Sequence, residues 1–300
     1  MVPSGPAPQP TAPIGVFDSG VGGLTVLHEL LVSLPQEDFL YLGDSARFPY
    51  GDRTPAELQA FSCQIGDVLL ERGAKLIVVA CNSATSSALE ALQVHVAASG
   101  HAVDVIGVVG PESNLAVAQT RKGRIGLLAT EATVASGAYE RAVLAADPLV
   151  RLESVACPGL AQMSQTGAPI TEADVDLARG YCARLRAEAV DTVILGCTHY
   201  PMVRGLLQRL LGPAVALITS GDAVARRVEQ ALAVRELANP REGEGIYRFL
   251  CTADANDFAR IGSRFLQLPM GTVEHVDLPR VEALVTSTGL VTSSGGPRSR

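Results

Sequence analysis

Two cysteines stand at the ends of apolar runs, one in each half of the chain. The first run is LIVVA (76–80) and the second is VILG (193–196). Each is followed at once by a thiol and two further polar residues: Cys81, Asn82 and Ser83 in the first half, and Cys197, Thr198 and His199 in the second. A thiol at a helix N-terminus feels the positive end of the helix dipole, which lowers its pKa from about 8.5. We therefore expect both thiols to act as acid or base in one active site.

Two opposed thiols can invert a carbon stereocentre without a cofactor. One thiolate removes a proton from the carbon, and the other thiol returns a proton to the opposite face. The roles exchange with the handedness of the substrate. The pair must hold one thiolate and one thiol, and their titrations are coupled if they lie close together.

Other interpretations of the cysteines stay open. A free cysteine is most often a small buried hydrophobic residue, and we expect this of four of the six: Cys63, Cys157, Cys182 and Cys251. A cysteine hydrolase with His199 as base to Cys197 is the main rival, and it would not need Cys81. A Cys81–Cys197 disulfide is disfavoured in a reducing cytosol. The spacing C-x-H lacks a second ligand pair for zinc, so we expect no metal.

Two glycine-containing turns carry further polar groups. GVFDSGVGGLTVL (15–27) departs from the dinucleotide pattern G-x-G-x-x-G at Thr25 and has no G-K-[ST]. We expect a tight strand-to-helix turn that points Asp18 and Ser19 into a cleft, where Asp18 could hold an ammonium group or orient the Cys81 proton. GDSARFPYG (43–51) predicts a turn whose amides and Tyr50 hydroxyl could bind a carboxylate.

Composition excludes several classes. The 300 residues are 47% hydrophobic, the net charge is −7 and the sequence pI is about 5.3, with no substantial basic cluster, so we expect no nucleic-acid binding. Only two lysines occur, Lys75 and Lys122, and neither is placed for a pyridoxal Schiff base, so we expect no pyridoxal phosphate. No apolar run approaches the roughly 20 residues of a membrane span. The N-terminal stretch has no signal-like apolar region, which predicts a soluble cytoplasmic protein with reduced thiols.

The order of apolar runs predicts an α/β fold. The runs lie at 14–17, 39–42, 76–80, 105–109, 125–129, 192–196 and 215–219, and most precede a segment of helical character. Such alternation is typical of parallel sheets covered by helices. We expect two similar α/β domains with mostly parallel sheets and the active site in the cleft between them. Polar residues follow most runs, including Glu112, Ser220 and Asp222, and for the last two we expect helix capping.

Together the motifs resemble those of the glutamate racemases, in the cofactor-independent aspartate/glutamate racemase superfamily. The matching pieces are GVFDSGVGGLTVL, YLGDSARFPYG, VVACNSATSSAL, VIGVVGP, IGLLATEATVASGAY, ACPGLA and LGCTHYP, in the family's order between about residues 14 and 219.

The resemblance implies a domain organisation, a reaction and a set of site residues. A first domain covers 13–108 and 215–271, an inserted second domain covers 109–214, a disordered tail covers 1–12, and a partly disordered extension covers 272–300. Cys81 takes the α-proton of D-glutamate with help from Asp18, and Cys197 that of L-glutamate with help from His199. The substrate-binding positions are Asp18, Ser19, Tyr50, Gly51, Asn82, Ser83, Thr130, Thr133, Thr198 and His199.

The biological role follows from the same resemblance. D-glutamate would supply peptidoglycan synthesis, and hence cell wall biogenesis and cell shape. We expect a homodimer that binds no nucleic acid or membrane. An aspartate racemase or related isomerase of the same superfamily is the nearest alternative.

The sequence departs from the family pattern at five positions. Ser45 and Ser83 replace threonines, and Ala129 and Ala132 stand where glycines are common. Gln165 stands where the family has a glutamate, which bears on the pH profile if that group tunes His199.

Overall fold

The computed structural model describes residues 7–165 and 168–280. Within these ranges the strands are β1 (Ile14–Asp18), β2 (Phe39–Gly43), β3 (Leu76–Val79), β4 (Asp104–Gly107), β5 (Arg124–Ala129), β6 (Arg151–Ala156), β7 (Thr192–Gly196), β8 (Ala216–Ile218), β9 (Tyr247–Cys251) and β10 (Val273–His275). The helices are α1 (Leu24–Ser33), α2 (Pro55–Glu71), α3 (Asn82–Ala98), α4 (Val109–Gln119), α5 (Glu131–Ala135), α6 (Ala138–Ala146), α7 (Leu160–Gln165), α8 (Glu172–Ala187), α9 (Arg204–Leu211), α10 (Ser220–Arg235) and α11 (Ala255–Leu266).

The strands form two parallel sheets, as the sequence predicts. The first has the order β10-β9-β2-β1-β3-β4 and the second the order β6-β5-β7-β8. Strands β1, β2, β3 and β7 are buried at every residue, which is why they read as continuous apolar runs rather than alternating patterns. Because all strands in a sheet are parallel, their carboxyl ends share one edge, where a site is expected.

Three hydrophobic clusters account for the layers. One cluster joins the two sheets, since it contains Val16 of β1, Leu127 of β5 and Ile194 of β7 together with residues of α1, α4 and α10. A second cluster covers the other face of the first sheet under α2 and α3. The third covers the other face of the second sheet under α8 and α9. The shared central cluster holds the two sheets together beneath the site.

The strand positions differ from the predicted domain limits in two places. Strand β8 pairs with β7 in the second sheet, although we assigned residues from 215 onward to the first domain. The three residues of β8 form a strand at the edge of the second sheet, and the chain then continues into α10. Strand β10 pairs with β9, so residues 273–275 belong to the first sheet rather than to an extension.

The terminal segments are only partly described. Residues 1–6 and 281–300, which include most of the segments that we predicted to be disordered, lie outside the described residues. Residues 9–12 lie against the first sheet, because the ammonium of Lys75 donates a hydrogen bond to the carbonyl of Pro10. Across the described ranges, every helix is too short or too polar to cross a bilayer.

Candidate active site

One cavity lies where the carboxyl ends of β1, β3, β5 and β7 converge. It is nearly filled by its own walls, with a cavity volume of about 20 Å³. Its lining comes from both sheets and consists of Ser19, Phe48, Pro49, Tyr50, Gly51, Cys81, Asn82, Ser83, Thr130, Ala161, Cys197, Thr198 and His199. Ten of the twelve predicted site residues are therefore wall residues. The other two, Asp18 and Thr133, lie directly behind the wall and contact residues that line it.

Cys81 lies at the N-cap of α3, directly after β3, and is 4% exposed. We predicted a lowered pKa, and this is wrong. Burial, and after it the negative charge of Asp18, raises the pKa of the Cys81 thiol to about 12. Hydrogen bonds from the amides of Ser19 and Ala84 and from the Ser19 hydroxyl act in the opposite direction, since they stabilise the thiolate. Desolvation outweighs the helix N-terminus here.

Cys197 follows β7 on the opposite wall and is equally buried. Burial raises the pKa of the Cys197 thiol well above its ordinary value, against the hydrogen bond from the His199 amide. The charge of Cys81 raises the Cys197 pKa as well, so the two thiols are close enough to influence each other's titration. The imidazole Nδ1 of His199 lies 3.9 Å from the Cys197 sulfur.

The tautomer of His199 follows from the contact that its second ring nitrogen, Nε2, makes. Nε2 lies 2.6 Å from Oε1 of Gln165, the residue in place of a family glutamate. A carbonyl oxygen only accepts, so Nε2 carries the hydrogen and the Nδ1 lone pair faces Cys197. Burial lowers the pKa of His199 to about 4, which leaves the ring neutral near pH 7. The rings of Phe48 and Phe265 flank it, with centroids at 5.3 and 5.4 Å.

Asp18 connects the two thiol-bearing segments. Its carboxylate accepts hydrogen bonds from the Thr198 hydroxyl at 3.1 Å and the Gly20 amide at 3.0 Å. The hydroxyl of Thr25, in α1, donates to the Thr198 carbonyl at 3.1 Å. Burial raises the pKa of Asp18, which makes its carboxyl a better proton acceptor than an exposed aspartate.

A cluster of hydroxyls makes a second connection between the sheets. The Ser83 hydroxyl, at the start of α3, lies 2.9 Å from that of Thr130 and 3.3 Å from that of Thr133. Thr130 caps α5 by accepting from the Thr133 amide. The two hydroxyls of this cluster that line the cavity, those of Ser83 and Thr130, can rotate to donate to a carboxylate, with Thr133 behind them.

The turn that contains Tyr50 is anchored from behind. Its hydroxyl donates to Asp44, which is wholly buried and also accepts from the Thr252 hydroxyl at 2.8 Å. Our expectation that this hydroxyl binds a substrate carboxylate is therefore wrong. Because the hydroxyl is held by Asp44, the turn presents its backbone and Gly51 to the cavity instead.

A buried hydrogen-bond network behind Asn82 was not foreseen. The carboxylate of Glu112 accepts from Asn82, Tyr139 and Ser220. The prediction that Ser220 caps α10 is wrong, because Thr219 is the N-cap and the Ser220 side chain bonds Glu112 instead. Glu112 lies in the first turn of α4, and its place just after the apolar run 105–109 was the available signal. Phe48, Pro49 and Ala161 also line the cavity unpredicted, and the first two adjoin Tyr50 in sequence.

Comparison with known proteins agrees with this arrangement. Residues 23–228 match the family model of Asp/Glu/hydantoin racemases. The chain is 40% identical over 270 residues to a glutamate racemase of Geobacter metallireducens, covering 90% of this chain and 98% of that protein. It is likewise 40% identical over 274 residues to a glutamate racemase of Mycobacterium tuberculosis, covering 91% and 99%.

Solved structures give the same result. A glutamate racemase isoform of Bacillus anthracis superposes with a TM-score of 0.84 at 35% identity, covering 89% of this chain and 98% of that one. The Francisella tularensis glutamate racemase, solved in complex with D-glutamate, gives a TM-score of 0.82 at 31% identity with the same coverage.

Proposed function

The chain belongs to the Asp/Glu/hydantoin racemase family, and from that premise we propose that it is a cofactor-independent glutamate racemase with Cys81 and Cys197 as its two bases. The observation that carries the proposal is the pair of buried thiols, which enter one cavity from different sheets and influence each other's pKa. We further propose that each sheet is the core of one domain, so that the substrate lies between domains.

The reaction exchanges one proton for another on the α-carbon. With D-glutamate, the Cys81 thiolate removes the α-proton and the Cys197 thiol delivers its proton to the opposite face. L-glutamate and a Cys197 thiolate result. The reverse reaction starts from the Cys197 thiolate and a Cys81 thiol. The enzyme must stabilise the carbanion by positioning and by fixed donors, since the α-proton of an amino acid is far less acidic than a thiol.

The auxiliary residues move the thiol protons. Asp18 lies beside Cys81 and assists it, and its raised pKa suits a proton acceptor. His199 assists Cys197 through the Nδ1 lone pair at 3.9 Å.

The cavity walls supply hydrogen-bond donors and acceptors for a substrate with one amino group and two carboxylates. The hydroxyls of Ser83 and Thr130, supported from behind by Thr133, and the turn at Gly51 are placed to donate to carboxylates. On the opposite side, the Thr198 hydroxyl is held by Asp18.

The cellular role is proposed on the same premise. D-glutamate would feed peptidoglycan synthesis in the cytoplasm, and the enzyme would act as a homodimer without nucleic acid. Light scattering of the purified protein tests the dimer, and a gel-shift titration tests the absence of nucleic-acid binding. A strain that lacks the gene should need external D-glutamate for growth.

Proton NMR in heavy water tests the reaction itself. L-glutamate is incubated without cofactor with wild type, Cys81→Ser, Cys197→Ser and, as matched control, Cys63→Ser, whose thiol is half-buried and remote from the cavity lining. Wild type and control should exchange the α-proton and form D-glutamate, and the two active-site variants should not racemise. A wild type that leaves the α-proton in place refutes glutamate as substrate, and aspartate is then tried. Loss with Cys197→Ser alone would indicate a hydrolase-like site.

A further inference from the structure

Asn82 is the one cavity residue whose side-chain amide has a fully occupied nitrogen and an unoccupied oxygen. Nδ2 lies 2.8 Å from the Tyr139 hydroxyl and 3.2 Å from Oε2 of Glu112. Oδ1 is buried and has no hydrogen-bond partner among the residues that the structure describes. An acceptor left unpaired in a buried position is costly unless a ligand donor occupies it.

The orientation of that amide is fixed by Glu112. A carboxylate accepts and cannot donate, so only the NH₂ side of Asn82 can face it. The Tyr139 hydroxyl donates its hydrogen to Glu112, which leaves its lone pairs for Nδ2. Rotation of the Asn82 amide by a half-turn would place Oδ1 against two acceptors.

Glu112 itself is held from three helices. Asn82 begins α3, Tyr139 lies in α6, and Ser220 begins α10 and donates to the other carboxylate oxygen. All four residues are buried, Glu112 and Tyr139 with no exposed surface. The three donors stabilise the carboxylate, although burial raises the pKa of Glu112 to about 7.

We propose that Glu112 is a positioning residue for the reaction: it orients Asn82 so that Oδ1 receives the α-ammonium group of glutamate. The inference rests on the proposed function. The α-ammonium is the only hydrogen-bond donor on a glutamate zwitterion, whose two carboxylates only accept, so an unpaired acceptor in the cavity selects that group. Glu112 does not touch the substrate and acts through Asn82.

The test compares ligands with and without the ammonium group. Calorimetric titrations of racemic glutamate and of glutarate, which lacks the amino group, are run on wild type, Glu112→Leu, Glu112→Gln and Ser113→Ala. Glu112→Leu removes the acceptor and should weaken glutamate binding about tenfold, the loss of one hydrogen bond to a charged group, while glutarate affinity changes less than twofold. Glu112→Gln can turn its amide oxygen toward Asn82 and its NH₂ toward Ser220, so it should largely rescue binding.

Ser113→Ala is the matched control. Ser113 follows Glu112 in α4 and is equally buried, but its hydroxyl has no hydrogen-bond partner among the described residues, so glutamate binding should stay near wild type. Should Glu112→Leu fail to fold, Tyr139→Phe removes the acceptor nearest Nδ2 and is measured in its place with the same expected direction.

The outcomes separate this inference from the proposed function. Equal weakening of both ligands, or glutamate affinity within twofold of wild type in Glu112→Leu or Tyr139→Phe, would overturn the role of Glu112 while leaving the racemase intact. If wild-type protein neither binds glutamate nor exchanges its α-proton, the proposed function fails, and this inference fails with it.

Discussion

The turn between β1 and α1 brings the first domain against the second at a glycine. A Cβ added at Gly22 would clash with the Thr198 hydroxyl and would stand 2.5 Å from Nδ1 and Cε1 of His199, whereas ordinary contact begins at 3.4 Å. The imidazole or its loop must therefore move by about 1 Å in Gly22→Ala. In the proposed reaction that shift displaces His199 from Cys197, and a misplacement of this size costs about 100-fold in rate. We expect kcat to fall by that factor.

Gly20 offers a matched control in the same turn. Its added Cβ would meet only the ring of Phe48, at 3.5 Å, which is ordinary contact. Circular dichroism follows the conversion of L- to D-glutamate and gives kcat for both variants, and thermal melting checks their folding. Gly20→Ala should stay within threefold of wild type. The reasoning is refuted if a folded Gly22→Ala keeps more than a third of wild-type kcat, or if both variants lose activity equally.

Two further changes test the charges of the structure. Gln165→Glu places a carboxylate at the His199 Nε2, which raises the His199 pKa from about 4. The acidic limb of the kcat/KM profile should therefore move to higher pH. A limb that does not move contradicts the role of His199 in the reaction. Lys75→Met leaves Glu37 buried without the ammonium that lies 2.6 Å away, and should cost about 3–5 kcal/mol in urea unfolding. The double variant with Glu37→Leu should recover much of that loss, and no recovery would contradict a buried-charge penalty.

The fold was predictable where strands are buried on both faces. Runs such as IGVF and LIVVA are apolar at every position, because both faces of these strands are covered. Strand β6 was missed because its residues are mostly half-exposed, and its sequence RLESVA reads as mixed. The edge strand β10 has only three residues, two of them exposed. Edge strands carry little of the core, so hydrophobicity gives a weak signal for them.

Most residues that line the cavity could be predicted from the sequence, and the pKa shifts of its thiols could not. Most wall residues follow strand ends, where parallel topology collects polar groups. Whether a thiol at such an end is acidified depends on how completely the opposite domain covers it, which local sequence does not encode. The same holds for Tyr50, whose hydroxyl meets Asp44 only because Pro49 and Gly51 turn the chain inward. Glu112 and Ser220 are far apart in sequence and meet only through packing.

The raised thiol pKa values fit the proposed chemistry better than lowered ones would. Proton abstraction from a weak carbon acid is faster with a stronger base, and a thiolate whose conjugate thiol has a pKa of about 12 is a stronger base than an acidified one. Burial thus lowers the fraction of each cysteine that is present as thiolate and raises the basicity of that thiolate.

Because little thiolate is present, the reaction requires an acceptor for the thiol proton on each side of the substrate. Asp18 beside Cys81 and the neutral His199 beside Cys197 are the two nearest acceptors. Burial makes Asp18 a stronger acceptor, because it raises the Asp18 pKa, and makes His199 a weaker one, because it lowers the His199 pKa to about 4. Different groups therefore accept the thiol proton on the two sides of the substrate. The pH profiles measured separately from D- and from L-glutamate should differ in their acidic limbs.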